Sequence, residues 1–329
     1  MLEILKARFD KNDLFVRVIA TYLNKYEKLV TKDIIEEITG GNEDLDTTAF
    51  SAFLCSAFID DHATEKELER EYFIPSVKKL NPLEYENDPY YKSIKISDKK
   101  TENWTLGWQK YAPYEGFIRD DYAVFPDYRE VCSIGFFDKE FAFPTVYENG
   151  VEWMAIKPNE IETMKEPIKK ARGSVVAFGL GLGYFAYMAS LKDGVSSVTV
   201  VERDESVIKL FESEILPQFE HKEKIKIVKA DAFDFVKDND NAGKFDYAFV
   251  DLWRDISDGT DLYIKMRKLE SRLGCEFEYW IEKSILLGIR KNLFYAIYES
   301  EKNGKNTLTY EEITKRLSLD YVKEFVKFI

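Results

Sequence analysis

The sequence has few of the residues on which metal and redox sites are built. Its 329 residues include two histidines and three cysteines. Cys55, Cys132 and Cys275 lie far apart and form no CxxC pair, and neither histidine stands at a metal-ligand spacing from a cysteine. We therefore expect no metal site and no histidine-centred catalytic triad. Dispersed, odd-numbered cysteines are typical of a reducing compartment, which favours a cytoplasmic protein.

The sequence lacks an excess of positive charge: it has 47 lysines and arginines and 60 aspartates and glutamates, which gives a formal net charge of −13. Polyanion binding depends on neutralising phosphates, so nucleic acid is not expected as the main partner. The acidic balance is compatible with a cationic or amine substrate, although solubility explains it equally well.

Only one uncharged apolar run is of membrane-spanning length, residues 173–191. It divides into a β-branched start, a glycine cluster and a helix-like tail, which predicts a strand, a turn and a helix rather than a membrane span. The first residues mix charges into apolar positions, so we expect neither a signal peptide nor a membrane partner.

The glycine cluster places Gly179, Gly181 and Gly183 on alternate positions. Glycines let the backbone turn tightly and let a ligand approach closely, and the next helix would point free N–H groups at that ligand. Residues 181–186 also fit the dinucleotide pattern GxGxxA. A nicotinamide or flavin dinucleotide and S-adenosylmethionine are therefore both candidates at this point.

Three further segments predict parallel strands that each end in an acid: "SSVTVVE" at Glu202, "KIKIVKAD" at Asp231 and "FDYAFVD" at Asp251. Ligands of such sheets bind outside the carboxyl ends of the strands. A fifth strand is predicted over 276–281. The apolar residues after it follow a helical spacing, which predicts no further strand at that place. We predict an α/β fold with a doubly wound, Rossmann-like, mostly parallel sheet of order 3-2-1-4-5, counted from the glycine-loop strand, and a mainly helical N-terminal region.

The segments "VVAFGLGLGYFAYMAS", "VTVVERD", "KADAFDFV" and "FDYAFVDLW" resemble the successive motifs of class I S-adenosylmethionine-dependent methyltransferases, in their spermidine-synthase-like branch. The resemblance implies that S-adenosylmethionine is the cofactor. It also implies that Glu202 holds ribose hydroxyls, that Asp231 accepts from the adenine amino group, and that the Ala232 backbone meets the ring. The implied cofactor-binding residues are Gly179, Leu180, Gly181, Gly183, Tyr184, Glu202, Arg203, Asp231, Ala232, Phe233, Asp251, Leu252 and Trp253.

Asp251 and Asp255 are the predicted catalytic residues. A carboxylate at the strand end could orient or deprotonate an amine acceptor, with Asp255 assisting, and Trp253 could border the sulfonium cation. Plain ligand binding or helix capping would explain Asp251 as well. The chain departs from spermidine synthases at Leu182, where they typically carry an aspartate, and in "DLWRD", where they read roughly D-S-S-D.

The first functional hypothesis is therefore methyl transfer to an unidentified small or amine-containing acceptor. The nearest alternative is spermidine-synthase-like aminopropyl transfer. A non-catalytic nucleotide-binding or interaction protein is a further alternative. So is an NAD-dependent oxidoreductase, which accounts for the glycines and Glu202 but gives no reason for "ADAF" and "VDLW".

The predicted domains are a helical N-terminal domain over 1–80, an aromatic-rich linker or lid over 81–172, and the cofactor-binding domain with a helical C-terminus over 173–329. Within the linker, Asn149-Gly150 predicts a β-hairpin near 141–156. A hairpin followed by a helix resembles the spermidine-synthase arrangement, which implies that Glu160 and Thr163 border the substrate pocket. A homodimer is compatible with the sequence, which leaves the oligomeric state open.

Overall fold

The computed structural model describes residues 2–100, 103–302, 304, 312 and 315. They belong to two compact units. The first unit is drawn from Met1–Tyr85, Gln109–Ala142 and Lys291–Thr314, and the second chiefly from Glu86–Trp108 and Phe143–Arg290. This division differs from the predicted boundaries at 80 and 172, because the chain enters each unit more than once. The predicted third domain is described up to residue 302, and most of its residues after 302 lie outside the described part of the chain.

The secondary structure alternates helices and strands along the second half of the chain. The helices are α1 (Leu2–Lys25), α2 (Lys32–Thr39), α3 (Asp46–Phe58), α4 (His62–Leu68), α5 (Ile74–Ser76), α6 (Pro82–Glu86), α7 (Pro89–Ser93), α8 (Pro158–Lys170), α9 (Tyr184–Ser190), α10 (Glu205–Glu214), α11 (Ala232–Lys237), α12 (Ile256–Arg267) and α13 (Glu282–Lys302). The strands are β1 (Val77–Leu80), β2 (Lys99–Lys100), β3 (Trp104–Tyr111), β4 (Phe117–Val124), β5 (Glu130–Phe137), β6 (Phe141–Glu148), β7 (Val151–Ala155), β8 (Gly173–Phe178), β9 (Val195–Glu202), β10 (Ile225–Lys229), β11 (Tyr247–Val250) and β12 (Glu276–Tyr279). None of the described helices is both long enough and apolar enough to cross a membrane.

The five-stranded sheet of the second unit has the order β10-β9-β8-β11-β12, and all its pairings are parallel. The predicted α/β fold with a parallel sheet is thus confirmed. Its three central strands, β9, β8 and β11, are mostly buried runs of β-branched and aromatic residues, as parallel strands between helix layers require, whereas the edge strands β10 and β12 are partly exposed. Within the described residues no strand follows β12, and the chain continues into α13.

The segment predicted as an aromatic linker is mostly β-structure. Strands β4 and β5 form a three-stranded sheet with β1, and β2, β3, β6 and β7 form a four-stranded sheet. Aromatic residues favour strands because they fit a pleated, half-buried surface, and this explains their density here. The predicted hairpin is confirmed: β6 and β7 pair antiparallel, and Asn149 and Gly150 both have positive φ. The strand β1 also interrupts the region predicted as helical.

The first unit packs α1 and α3 against the sheet that contains β1 and β5. Its core includes a stacked pair, Phe50 and Phe136, whose ring centroids are 4.5 Å apart. One charged side chain, Asp46 at the start of α3, is buried beside this core with 2% of its surface exposed. Its Oδ2 accepts hydrogen bonds from Lys79 Nζ at 2.9 Å and from Tyr114 Oη at 2.8 Å. These two donors offset the cost of burying the carboxylate.

Replacing Asp46 by asparagine should therefore destabilise the first unit. We expect Asp46→Asn to lower the free energy of unfolding by about 1–3 kcal/mol, because the buried side chain then no longer carries the negative charge that pairs with Lys79. Urea unfolding followed by far-UV circular dichroism measures this loss. Tryptophan fluorescence would not report on the first unit, because all five tryptophans lie in the second.

Glu43→Gln is the matched control, because Glu43 also pairs with Lys79, at 3.5 Å, but its side chain is 82% exposed. Its effect should stay within about 0.5 kcal/mol. Equal losses in the two variants would contradict a role for burial at Asp46.

Candidate functional site

The loop between β8 and α9 is a tight turn that depends on left-handed backbone. Gly179, Gly181 and Gly183 have φ values of 99°, 53° and 76°. The Gly179 N–H donates to the Val201 carbonyl at 3.0 Å, and the Gly183 N–H donates to the Leu180 carbonyl at 2.8 Å. Glycine adopts such φ values without steric cost, so the three glycines of the sequence stand where the backbone has a left-handed conformation.

The space that a side chain would need at each glycine is taken by other atoms of the second unit. A Cβ at Gly179 would lie 1.9 Å from the Asp251 carbonyl oxygen, and one at Gly181 would lie 2.2 Å from Met154 Sδ. At Gly183 the nearest atom belongs to the Phe211 ring, at 2.3 Å. The glycines thus let the loop pack against β11, β7 and α10, whatever they also do for a ligand.

Glu202 ends β9 as a buried carboxylate with a fixed orientation. Its Oε2 accepts from the Leu180 N–H at 3.3 Å and its Oε1 accepts from the Asp204 N–H at 2.8 Å. Each carboxylate oxygen has a second lone pair, so the group can still accept from two hydroxyls. These two remaining acceptor positions fit the two hydroxyls of a ribose diol. The next residue, Arg203, is exposed.

Asp231 caps the helix α11 that follows β10. Its Oδ1 accepts from the backbone N–H groups of Phe233 at 2.9 Å and Asp234 at 3.1 Å. Ala232 and Phe233 are buried, and Lys265 Nζ lies 3.7 Å from the centroid of the Phe233 ring. The cap uses one oxygen of Asp231, and the predicted contact of the carboxylate with an adenine amino group stays a prediction.

Among the predicted site residues after β11, Asp251 is the one that contacts the glycine loop, through its backbone carbonyl and Gly179. Its N–H donates to the Phe178 carbonyl at 2.9 Å, and its half-buried side chain follows directly on the strand. Leu252 is also half-buried, whereas Trp253 is 5% exposed.

The side chains of Trp253 and Asp255 have other observed contacts. The Trp253 ring stacks on Tyr279 at a centroid distance of 6.4 Å and covers Gly259. Asp255 is the N-cap of α12 and accepts from the Ser257 N–H at 2.7 Å in a capping box. The observed contacts of Trp253 are packing contacts, and those of Asp255 are helix-capping contacts. The roles of Trp253 beside a sulfonium and of Asp255 as a catalytic carboxylate stay predictions.

A second carboxyl group, Glu160 in the first turn of α8, is close enough to Asp251 to be affected by its charge. Glu160 is 8% exposed. Burial raises the pKa of Glu160 to about 8, and the charge of Asp251 adds to this rise. Burial likewise raises the pKa of Asp251 to about 7. Among the described residues no group donates a hydrogen bond to either side chain. We call Glu160 and Asp251 the acidic pair.

Contacts around Leu182 were not predicted from the sequence. Met154 Sδ accepts from the Leu182 N–H at 3.1 Å, and Tyr90 Oη donates to the Leu182 carbonyl at 2.6 Å. Tyr184, at the start of α9, donates to Asp88 Oδ2 at 2.9 Å. These contacts join residues that are far apart in the sequence, so no local sequence pattern predicts them. The sequence does indicate that Asp88, which precedes Pro89, caps a helix.

Thr163, the other residue implied beside the pocket, accepts from the Trp280 indole N–H at 2.8 Å. This bond ties α8 to the residue after β12. Thr163 therefore has a structural role in orienting the helix that carries Glu160.

Residues 126–269 match the family model of the spermine/spermidine synthase domain. Among solved structures, a spermidine synthase in complex with the transition state analogue AdoDATO is 16% identical, over 41% of this chain and 50% of that chain, with a TM-score of 0.34. The spermidine synthase from Thermotoga maritima is 14% identical, over 45% and 54%, also with a TM-score of 0.34. The chain thus spans about half the length of these two proteins. A comparison with curated proteins found no match.

The family match corrects the first functional hypothesis. Methyl transfer is contradicted, because the matching model describes spermine and spermidine synthases. The match supports the alternative, aminopropyl transfer, and agrees with the resemblance to the spermidine-synthase-like branch.

Gly179→Ala should be one of the most disruptive single substitutions in the second unit. An alanine there would combine a φ of 99° with a Cβ only 1.9 Å from a backbone oxygen. We expect a loss of about 3 kcal/mol or more in the free energy of unfolding, measured by urea titration with tryptophan fluorescence.

Gly194→Ala serves as its control, because nothing lies within 4 Å of a Cβ there. We expect that change to alter stability by less than about 1 kcal/mol. A similar effect of both substitutions would refute the packing assigned to Gly179.

The acidic pair should also make the free energy of unfolding fall as pH rises from the ordinary carboxyl range to about 8. Both pKa values are raised in the folded state, so the stabilising protonated form is present below the ordinary carboxyl range and is lost as pH rises through the raised values. Between about pH 4.5 and pH 8, from the ordinary carboxyl range to the raised values, the wild type should lose stability, and Glu160→Gln should be the more stable protein at pH 9 by about 1–3 kcal/mol.

Urea unfolding at a series of pH values measures the difference between the two proteins. Because groups outside the acidic pair titrate alike in both proteins, their contribution cancels in that difference. A difference that does not change with pH would contradict the raised pKa values.

Proposed function

We propose that this chain is an aminopropyltransferase, which moves the aminopropyl group of decarboxylated S-adenosylmethionine to the nitrogen of a small amine. The observation that carries the proposal is the acidic pair, of which Asp251 packs directly against the glycine loop. The match of residues 126–269 to the spermine/spermidine synthase domain supports it, because this range contains the glycine loop, Glu202, Asp231 and both acids. Decarboxylated S-adenosylmethionine is the donor that spermidine synthases use.

The acidic pair suits an amine because it offers acceptors and lacks donors. A protonated amine brings three N–H donors and a positive charge to the same point. Glu160 is almost wholly buried, so a cation there would replace much of the solvation that the carboxyl group has lost. The formal net charge of −13 adds a long-range attraction for a cationic acceptor such as putrescine or spermidine.

The chain also has groups that fit the nucleoside part of the donor. Glu202 would hold the ribose hydroxyls through the lone pairs that its two backbone contacts leave free. Asp231, Ala232 and Phe233 would lie at the adenine, and the turn at Gly179 to Gly183 would lie beneath the sulfonium end. When bound, the donor supplies a carbon that is activated for displacement by its bond to a positively charged sulfur.

Asp251 would prepare the acceptor for this displacement. An ammonium nitrogen has no lone pair, so a carboxylate must first take one of its protons. The amine nitrogen then forms a bond to the aminopropyl carbon that is attached to sulfur. The carbon–sulfur bond breaks at the same time, and methylthioadenosine leaves as a neutral thioether. Asp251 also orients the nitrogen, which matters most in a displacement between two held groups.

The proposal is tested by incubating the protein with decarboxylated S-adenosylmethionine and either putrescine or spermidine, and by measuring methylthioadenosine and the lengthened amine. We expect both products in equal amounts. Asp251→Asn should lower kcat/KM by about 10²-fold or more, the usual effect of removing a general base.

Asp193→Asn is a suitable control, because Asp193 is an exposed acid just before β9, at the amino end of the parallel strands. It should keep wild-type turnover. An absence of methylthioadenosine with every amine, or full activity in Asp251→Asn, would contradict the proposal.

A further inference from the structure

The hairpin of β6 and β7 is irregular at the residue before Met154. Val146 pairs with Met154, whereas Tyr147 pairs with Glu152, so the register shifts by one residue at Trp153, as in a β-bulge. Bulges change the direction in which neighbouring side chains point, and they are frequent next to functional sites. The side chain of Met154 thus leaves β7 at a place where the strand is bent.

Met154 reaches from this bulge to the middle of the glycine loop, residues 179–183. Its Sδ accepts a hydrogen bond from the Leu182 N–H at 3.1 Å. The same sulfur lies 2.2 Å from the position that a Cβ would take at Gly181. Two consecutive residues of the loop therefore contact one thioether, and Gly181 makes room for it because it has no side chain.

Two other polar contacts of the loop have oxygen acceptors. The Tyr90 Oη donates to the Leu182 carbonyl at 2.6 Å, and the Gly183 N–H donates to the Leu180 carbonyl at 2.8 Å. A thioether sulfur is a weaker acceptor than a carbonyl oxygen. The bond from Leu182 to Met154 is therefore the weakest of the three, and it is the one that the hairpin supplies.

The strand that carries Met154 is supported by two tryptophans of the second unit. Trp153, the residue at the bulge, meets Trp104 of β3 edge to face, with ring centroids 5.2 Å apart. The indole N–H of Trp104 in turn donates to Ser206 Oγ in the first turn of α10, at 2.9 Å. These contacts join β7 to β3 and β3 to α10, and so support the position of Met154 beside the loop.

We propose that Met154 is a positioning residue, which holds the glycine loop in the shape that receives the nucleoside donor by accepting from the Leu182 N–H. The proposal rests on the proposed aminopropyl transfer, in which this loop lies beneath the sulfonium end of the donor. A loop that already has its bound shape loses less conformational freedom when the ligand binds. Met154 acts through the loop, so its loss should weaken donor binding and leave the displacement step unchanged.

The contact itself is tested without a ligand, by hydrogen–deuterium exchange resolved to the Leu182 amide. Leu182 is 1% exposed, so its N–H should exchange slowly in the wild type. Met154→Leu keeps nearly the same volume and removes the acceptor, and the amide should then exchange about fivefold faster or more. Met154→Gln offers a side-chain oxygen at a similar reach and should restore slow exchange. Equal exchange in the wild type and in Met154→Leu would overturn the proposal.

Calorimetric titration with methylthioadenosine measures the effect on the donor site. Met154→Leu should raise the Kd about fivefold, and Met154→Gln should stay within about twofold of the wild type. Met188→Leu is the matched control, because Met188 is also half-buried and lies in α9, and it should keep the wild-type Kd. Equal weakening by leucine and glutamine at residue 154 would mean that side-chain shape, and not the acceptor, is required, and the proposal would be wrong.

Steady-state kinetics separate positioning of the loop from general damage to the fold. Met154→Leu should raise the KM for decarboxylated S-adenosylmethionine about fivefold, and should leave kcat and the KM for the amine within about twofold. A lower kcat with an unchanged donor KM would contradict a role at the donor site.

The failure of this inference differs from that of the proposed function. An active wild type whose Leu182 amide exchanges at the same rate in Met154→Leu would overturn this inference alone. Faster exchange in Met154→Leu, together with a wild type that forms no methylthioadenosine, would overturn the proposed function, and with it the link between Met154 and donor binding.

Discussion

The close approach of Gly179 to the carbonyl oxygen of Asp251 is the contact on which the candidate site depends. It places the turn after β8 directly against the end of β11, at a distance that no side chain at residue 179 would allow. The same turn brings the Leu180 N–H to Glu202 at the end of β9. Three strand ends are thus held together by backbone contacts of one loop, so the acids at those ends keep their orientation without a ligand.

Burial then sets the chemistry of these acids. Glu202 is stabilised as an acceptor by two backbone N–H groups, whereas Glu160 and Asp251 have no such donors among the described residues. The difference suits them to different roles in the proposed site, because a carboxylate that accepts from donors keeps one orientation, whereas a buried carboxyl without donors has a raised pKa. A site with both kinds can hold neutral hydroxyls at one point and a cation at another, and aminopropyl transfer to an amine requires both.

Methyl and aminopropyl transfer make nearly the same demands on the motifs that the sequence displays. Both reactions displace a carbon from a sulfonium that is attached to the same nucleoside, so the glycine turn, Glu202 and Asp231 would serve either one. The prediction of methyl transfer was therefore drawn from features that do not separate the two reactions. What separates them is the group that is transferred and the acceptor that receives it, and these depend on side chains that come from several elements.

The sequence by itself determined the local parts of this protein. The β-branched runs, the glycine turn and the Asn149-Gly150 hairpin are encoded over a few residues each, and their strands formed where they were predicted, since periodicity and turn preferences are local properties. The re-entry of the chain into each unit, the sheet that joins β1 to β5, and the acidic pair were decided only by the tertiary structure. Glu160 and Asp251 lie far apart in the sequence, and their raised pKa values come from desolvation, to which the charge of Asp251 adds at Glu160; both effects exist only after α8 and β11 have packed.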